Sequence, residues 1–198
     1  FSWNTTLTIA HNRQKVLDTG SNDFIAAYST PTNNSYMMYG YVNGYPLNAL
    51  WGFKFAGVWH TQDQIDRNKE TKAYVSRASN TYKPGYAYYV DTNHDGTLNE
   101  DDLVYLGSAD PIIYGGLQKT FHIYKFRVSV FFNYSLGGKI YNLSELWMSG
   151  SSYTNQYRYM LDAWHPVRNP ESNIPAAYYN DELPSSRMVY DASYIRLK

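Results

Sequence analysis

In Phe126-Arg-Val-Ser-Val-Phe-Phe-Asn-Tyr134, apolar and mostly polar side chains alternate. Alternation with a period of two is typical of a β-strand with two different faces. One face would carry Phe126, Val128, Val130, Phe132 and Tyr134. The other would carry Arg127, Ser129, Phe131, Asn133 and Ser135. A tilted strand needs about 9–11 residues to cross a bilayer, so this segment has the length of a membrane strand. An extracellular β-sandwich has the same alternation and stays open as an alternative.

Further strands are predicted on both sides of this segment. Residues 112–121 have strand character, and the short connection at 122–125 predicts a hairpin. Residues 3–9 alternate in the same way, and residues 193–198 give a third candidate strand. Gly115-Gly116 within the first strand of the hairpin predicts a bend or a close approach of the backbone. The sequence therefore predicts an antiparallel all-β protein.

The composition excludes several classes of protein. The chain has 198 residues, and its 17 Lys and Arg balance its 17 Asp and Glu, so it lacks the excess positive charge of a nucleic-acid-binding protein. It has no Cys, which excludes disulfide scaffolds, thiolate zinc sites and cysteine nucleophiles. No apolar run reaches the roughly 18 residues of a transmembrane helix. Both ends lie within strand-like sequence, so we expect the chain to be a fragment of a longer protein.

The segment 149–192 contains few predicted strands and includes four of the eight prolines. Long aromatic loops between short strands are unusual in a compact soluble domain and typical of the outer side of a membrane barrel. Three roles are open for the tryptophans of the loops: stacking on sugar rings, packing in loop cores, or lying in an aromatic belt at a membrane interface. They are Trp51, Trp59, Trp147 and Trp164.

One motif predicts a specific chemistry. Residues 91–102 read Asp-Thr-Asn-His-Asp-Gly-Thr-Leu-Asn-Glu-Asp-Asp and fit the calcium-loop pattern D-x-[DN]-x-[DN]-G with an acidic residue at loop position 12. Ca²⁺ takes six to eight hard oxygen ligands. The predicted ligands are the side chains of Asp91, Asn93, Asp95 and Asp102 and the backbone carbonyl of Thr97. A turn that binds no ion is the alternative.

The flanks of this loop are strand-like on one side and a short turn on the other, unlike the paired helices of calcium sensors. We therefore expect Ca²⁺ to have a structural role in stiffening the loop. The sequence shows no nucleophile elbow, no phosphate-binding glycine loop and no zinc-protease motif, so we expect that the protein is not an enzyme.

Several motifs together resemble the C-terminal barrel portion of SusC/RagA-type TonB-linked outer-membrane proteins of Bacteroidetes. The resemblance rests on Tyr45–Trp59, Gly85–Gly107, Pro111 with the five residues that follow it, Tyr124–Phe132 with Gly137–Tyr141, Trp164-His-Pro with Asn169-Pro and Ile174-Pro, and Ser185–Lys198. The order and spacing of these segments agree over most of residues 45–198, whereas residues 1–44 match only as generic barrel strands and loops.

The resemblance implies strands of a plugged, 22-stranded transmembrane barrel with long extracellular loops, located in the bacterial outer membrane. Within residues 1–198 it implies a calcium-loop segment at 85–107, a transmembrane hairpin at 110–135 and an extracellular region at 143–190, with the plug domain and the final strands absent. It implies import of glycans or oligosaccharides, or of peptides, together with a SusD-like lipoprotein and TonB, in contact with outer-membrane lipid. The alternative function is a soluble, calcium-stabilised carbohydrate-binding β domain.

Overall fold

The structure, a computed structural model, describes residues 1–21, 25–29, 37–68, 82–149, 155–177 and 183–198. These residues form mostly antiparallel strands with two short helices, as predicted for an all-β chain. The strands are β1 (Ser2–Ala10), β2 (Ile25–Ser29), β3 (Met37–Tyr41), β4 (Ala49–Gly52), β5 (Phe55–Val58), β6 (Ala87–Tyr89), β7 (Val104–Ser108), β8 (Ile113–Ile123), β9 (Phe126–Leu136), β10 (Lys139–Tyr141), β11 (Val189–Asp191) and β12 (Tyr194–Leu197). The helices are α1 (Gln62–Arg67) and α2 (Leu143–Met148).

The longest strands form one four-stranded antiparallel sheet, in the order β1-β8-β9-β12. Strands β8 and β9 pair over their full length, from Ile113 opposite Leu136 to Ile123 opposite Phe126. A two-residue turn at Tyr124 and Lys125 joins them, and Tyr124 has a positive φ of 52°. The strands predicted at 3–9, 112–121, 126–134 and 193–198 are therefore all confirmed, and the hairpin connection is shorter than the predicted 122–125.

Two long insertions leave this sheet at the same end, opposite the turn at Tyr124 and Lys125. The first runs from the end of β1 to the start of β8 and contains β2 to β7. The second runs from the end of β9 to the start of β12 and contains β10, α2 and β11. Their strands form the sheet β2-β3-β4-β7 and the pairs β5-β6 and β10-β11. We call the two insertions together the cap.

The two insertions share one hydrophobic core. Phe53, fully buried, packs with Ala87, Tyr89 and Leu98 of the first insertion and with Leu183 of the second. Its backbone also forms a parallel bridge with Ser185 of the second insertion.

A second cluster joins Leu50 to Tyr141 and Met188, again across the two insertions. Because each buried surface needs residues from both segments, the cap is held together as one unit.

Helix α1 begins with a capping box. Thr61 is the N-cap residue and accepts a hydrogen bond from the Gln64 backbone N–H, while the Gln64 side chain accepts one from the Thr61 N–H. This reciprocal pair satisfies two backbone donors at the helix start.

No helix in the described part of the chain has the length and apolar character needed to cross a membrane.

The glycine pair in β8 provides room for two aromatic rings from β9. A Cβ atom at Gly116 would lie 2.7 Å from the ring of Phe131, and one at Gly115 would collide with the Thr8 carbonyl of β1. The Tyr134 hydroxyl donates a hydrogen bond to that Thr8 carbonyl over 3.0 Å, spanning β8. The predicted close approach of the backbone at Gly115-Gly116 is therefore confirmed, and both glycines are sterically required.

Candidate functional site

One face of the four-stranded sheet is apolar and exposed. Leu7 is 58% exposed, Phe126 is 74% exposed and Ile195 is 69% exposed, although they come from three different strands. The strand register places on this same face Trp3, Ile9, Ile113, Leu117, Phe121, Ile123, Val128, Val130, Phe132, Tyr134, Leu136 and Leu197. A continuous apolar surface of this size marks contact with a membrane or with another protein.

The opposite face of the sheet is polar. Its side chains include Thr6, Gln118, Thr120, His122, Arg127, Ser129, Asn133, Ser135 and Arg196. The hydroxyls of Thr120 and Ser129 form a hydrogen bond of 3.0 Å between β8 and β9. An apolar face outward and a polar face inward is the arrangement of a strand in a water-filled or plugged membrane barrel.

Two adjoining cavities lie where this polar face meets the cap, and Asn12, Asp110 and Pro111 line both of them. The first, of about 580 Å³, is lined by hydroxyl, amide and aromatic groups, including Thr8, Tyr114, Phe131, Asn133, Ser135 and Tyr194. The second, of about 450 Å³, is lined by His11, Arg13, Gln14, Tyr105 and Lys139, among others. The Asn48 amide donates a hydrogen bond of 2.8 Å to Asp110, which holds that carboxylate in place.

The predicted calcium loop is a closed turn anchored by two buried carboxylates. Asp91 is 4% exposed, and its two oxygens accept the backbone N–H groups of His94 and Gly96. Asp102 is fully buried and accepts the N–H groups of Thr92 and Asn99 at 2.6 and 2.9 Å. Such charge-assisted hydrogen bonds stabilise a buried carboxylate without a metal.

The other predicted ligands lie on the exposed side of this loop. Asn93 donates from its amide to Asp95 over 3.0 Å, and Asp95 accepts the N–H of Thr97 at 2.7 Å. Leu98 of the same loop is fully buried in the cap core, which anchors the loop to the first insertion.

The donor set suits Ca²⁺, because all five groups are oxygens and each carboxylate oxygen has a second lone pair. Across the described ranges, no three or more His, Cys, Asp or Glu side chains are grouped to hold a metal ion. In the loop, the amide oxygen of Asn93 and the backbone carbonyl of Thr97 are expected to complete the donor set. Calcium binding by the loop therefore stays a prediction.

A buried polar cluster in the cap has no counterpart in the sequence predictions. The carboxylate of Glu145, at the start of α2, is 3% exposed and accepts hydrogen bonds from the hydroxyls of Tyr159, at 2.7 Å, and Tyr190. The Arg187 guanidinium lies 3.7 Å from the same carboxylate. Burial, and then the hydrogen bond to Glu145, raise the pKa of Tyr190 to about 12 and also raise the pKa of Tyr159. The hydrogen bonds of the cluster tie α2 to β11.

This cluster was missed because its members lie far apart in the sequence and belong to no motif.

The tryptophan alternatives are partly resolved. Trp51, Trp59 and Trp164 are buried and pack in the cap, as the loop-core alternative predicts. The side chain of Trp147 lies outside the described part of the structure.

No protein-family model matches the chain. Two curated proteins of Formosa agariphila are similar to it over its whole length: "TonB-dependent receptor P26", at 32% identity, and "TonB-dependent receptor P3", at 27% identity. The chain spans 19% of the length of each of these relatives.

Solved structures with the same fold include the "RagAB peptide transporter", with a TM-score of 0.65 and 19% identity over 99% of the chain. A second is the RagAB peptide importer in the "open-open" state, with a TM-score of 0.64 and 19% identity. The chain covers 20% and 19% of those two proteins, respectively, so the likeness describes a part of each fold.

Proposed function

We propose that this chain belongs to the TonB-dependent receptors of the SusC/RagA type and forms part of the wall and outer cap of an outer-membrane nutrient importer. The observation that carries the proposal is the four-stranded sheet with an exposed apolar face and a polar opposite face. Exposing so many apolar side chains to water would be unfavourable, and lipid removes that cost. This face also argues against the alternative of a free-standing soluble carbohydrate-binding domain.

The topology supports one orientation in the membrane. Barrel proteins of this class have short turns on the periplasmic side and long loops outside. The two-residue turn at Tyr124 and Lys125 then lies in the periplasm, and the cap lies on the cell surface. This is the arrangement predicted for the hairpin at 110–135 and for the extracellular region at 143–190.

We propose that the cap and the two cavities face the imported substrate, which we expect to be an oligosaccharide, with a peptide as the alternative. Hydroxyl, amide and aromatic groups such as Thr8, Asn133 and Tyr114 suit both ligands, because they offer hydrogen bonds and stacking surfaces. A SusD-like lipoprotein over the cap and TonB on the periplasmic side are the expected partners. In this proposal the protein transports its substrate and catalyses no reaction.

The orientation can be tested by labelling, because the chain has no native Cys. We expect Leu161→Cys, at an exposed cap position, to react in intact cells with a polyethylene-glycol maleimide too large to pass through porins. Tyr124→Cys, at the fully exposed turn, should react only after the outer membrane is permeabilised. The labelled protein should be found in the outer-membrane fraction. Equal labelling of both variants in intact cells, or recovery of the protein in a soluble fraction, would contradict the proposal.

We further propose that residues 91–102 bind Ca²⁺ through Asp91, Asn93, Asp95, Thr97 and Asp102. Calorimetric titration of the purified protein should show one site with a dissociation constant on the order of 10⁻⁴–10⁻³ M, as in extracellular calcium modules. Combining Asp91→Ala with Asp95→Ala should abolish that binding, because two of the carboxylates are lost.

A control separates metal binding from the structural role of the loop. Asp102→Ala leaves buried N–H groups of Thr92 and Asn99 without an acceptor, so it should destabilise the protein by about 1–3 kcal/mol even in a chelator. Wild-type protein that gives no calcium signal would refute the calcium site and leave the transport proposal standing.

A further inference from the structure

The apolar face of the sheet contains one charged side chain, Lys119, among the strand residues that the structure describes. In the register it lies between Thr5 of β1 and Val130 of β9, with apolar residues in the rows above and below. A cation near the middle of a lipid-facing strand costs about 2–4 kcal/mol if it stays in the hydrocarbon. The position of its ammonium group therefore needs an explanation.

The side chain of Lys119 extends toward the tight turn of the hairpin. Its Nζ lies 4.7 Å from the ring centre of Trp3 and 5.4 Å from that of Phe121. Trp3 and Phe121 are paired in the register one row nearer to the turn at Tyr124 and Lys125. Lys119 thus directs its charge along the strand toward the turn side, over two aromatic faces that attract a cation.

We propose that Lys119, Trp3 and Phe121 form a contact site for the phosphate group of a membrane phospholipid, in the leaflet on the side of the Tyr124–Lys125 turn. Tryptophan and lysine in this arrangement are typical of the boundary between hydrocarbon and headgroups. At that boundary the positive ammonium complements the negative phosphodiester, and the two rings pack against the upper acyl chain. The inference rests on the proposed membrane location of the sheet.

The test uses the intact protein, extracted from outer membranes into detergent and titrated with lipid in native mass spectrometry. We expect phosphatidylglycerol to bind more tightly than a galactosyl diacylglycerol with the same acyl chains and no phosphate. Lys119→Gln should weaken phosphatidylglycerol binding about fivefold, the contribution typical of one lysine at an anionic membrane surface. Binding of the galactolipid should not change.

Two variants serve as controls. Lys119→Arg keeps the cation and should keep the preference for phosphatidylglycerol, and Arg127→Gln removes a cation from the opposite face of the same hairpin and should leave it unchanged. Unchanged phosphatidylglycerol binding by Lys119→Gln would overturn the inference, as would displacement of the lipid by inorganic phosphate alone. Neither result affects the location of the protein, which the cysteine labelling tests separately.

Discussion

Val130→Arg is expected to block insertion of the protein into the outer membrane. Val130 lies near the middle of β9 on the apolar face, directly opposite Lys119 of β8. An arginine on the lipid side of a barrel strand costs about 2–4 kcal/mol at the midplane and less toward the interface. The like charge of Lys119, directly across the strand pair, adds to that cost. The measurement is the amount of folded protein in the outer membrane, determined from its different gel mobility before and after heating.

The matched control for this variant is Gln118→Arg. Gln118 precedes Lys119 in the same strand, so its side chain is on the polar face and is exposed there. The Gln118→Arg variant introduces the same side chain at nearly the same depth, and we expect near-normal assembly of the protein into the membrane. Normal assembly of Val130→Arg, or equal loss in both variants, would contradict a lipid-facing assignment of the apolar surface.

Phe53→Ala should destabilise the cap by about 3–5 kcal/mol, the usual cost of removing a buried phenylalanine ring. Phe53 is 0% exposed, and its ring lies 5.9 Å from that of Tyr89 and in the same cluster as Leu183 of the other insertion. Its removal therefore leaves a cavity at the junction of the two insertions. Urea unfolding followed by the fluorescence of the buried cap tryptophans gives the shift in free energy.

Leu161→Ala provides the comparison, since Leu161 belongs to the same cap and is 72% exposed. A surface substitution of this kind should change the free energy of unfolding by no more than about 0.5 kcal/mol. If Phe53→Ala unfolded at the same urea concentration as wild type, the shared core would not be what holds the two insertions together. The four-stranded sheet β1-β8-β9-β12 should be unaffected in both variants, because Phe53 and Leu161 lie outside it.

The strands of the sheet could be predicted from the sequence because each carries its own local signal. The alternation in Phe126–Tyr134 defines both faces of β9, and a one-residue shift of register would exchange them. The calcium-type loop could also be found locally, because its donor residues lie within 12 consecutive positions. The Glu145 cluster could not, since Glu145, Tyr159, Arg187 and Tyr190 are brought together only by the packing of α2 against the end of the second insertion.

Local sequence specified the period of the strands, the tight hairpin and the oxygen-rich loop. Each of these follows from steric and hydrogen-bonding preferences within a few residues. Only the tertiary fold brings the two insertions, which the β8–β9 hairpin separates in the sequence, into one core around Phe53, and only it buries Asp91 and Asp102 as anchors of their loop. It also decided that the apolar faces of four strands join into a single surface on which Lys119 reaches toward the turn. Such features depend on contacts between distant segments, which no local pattern specifies.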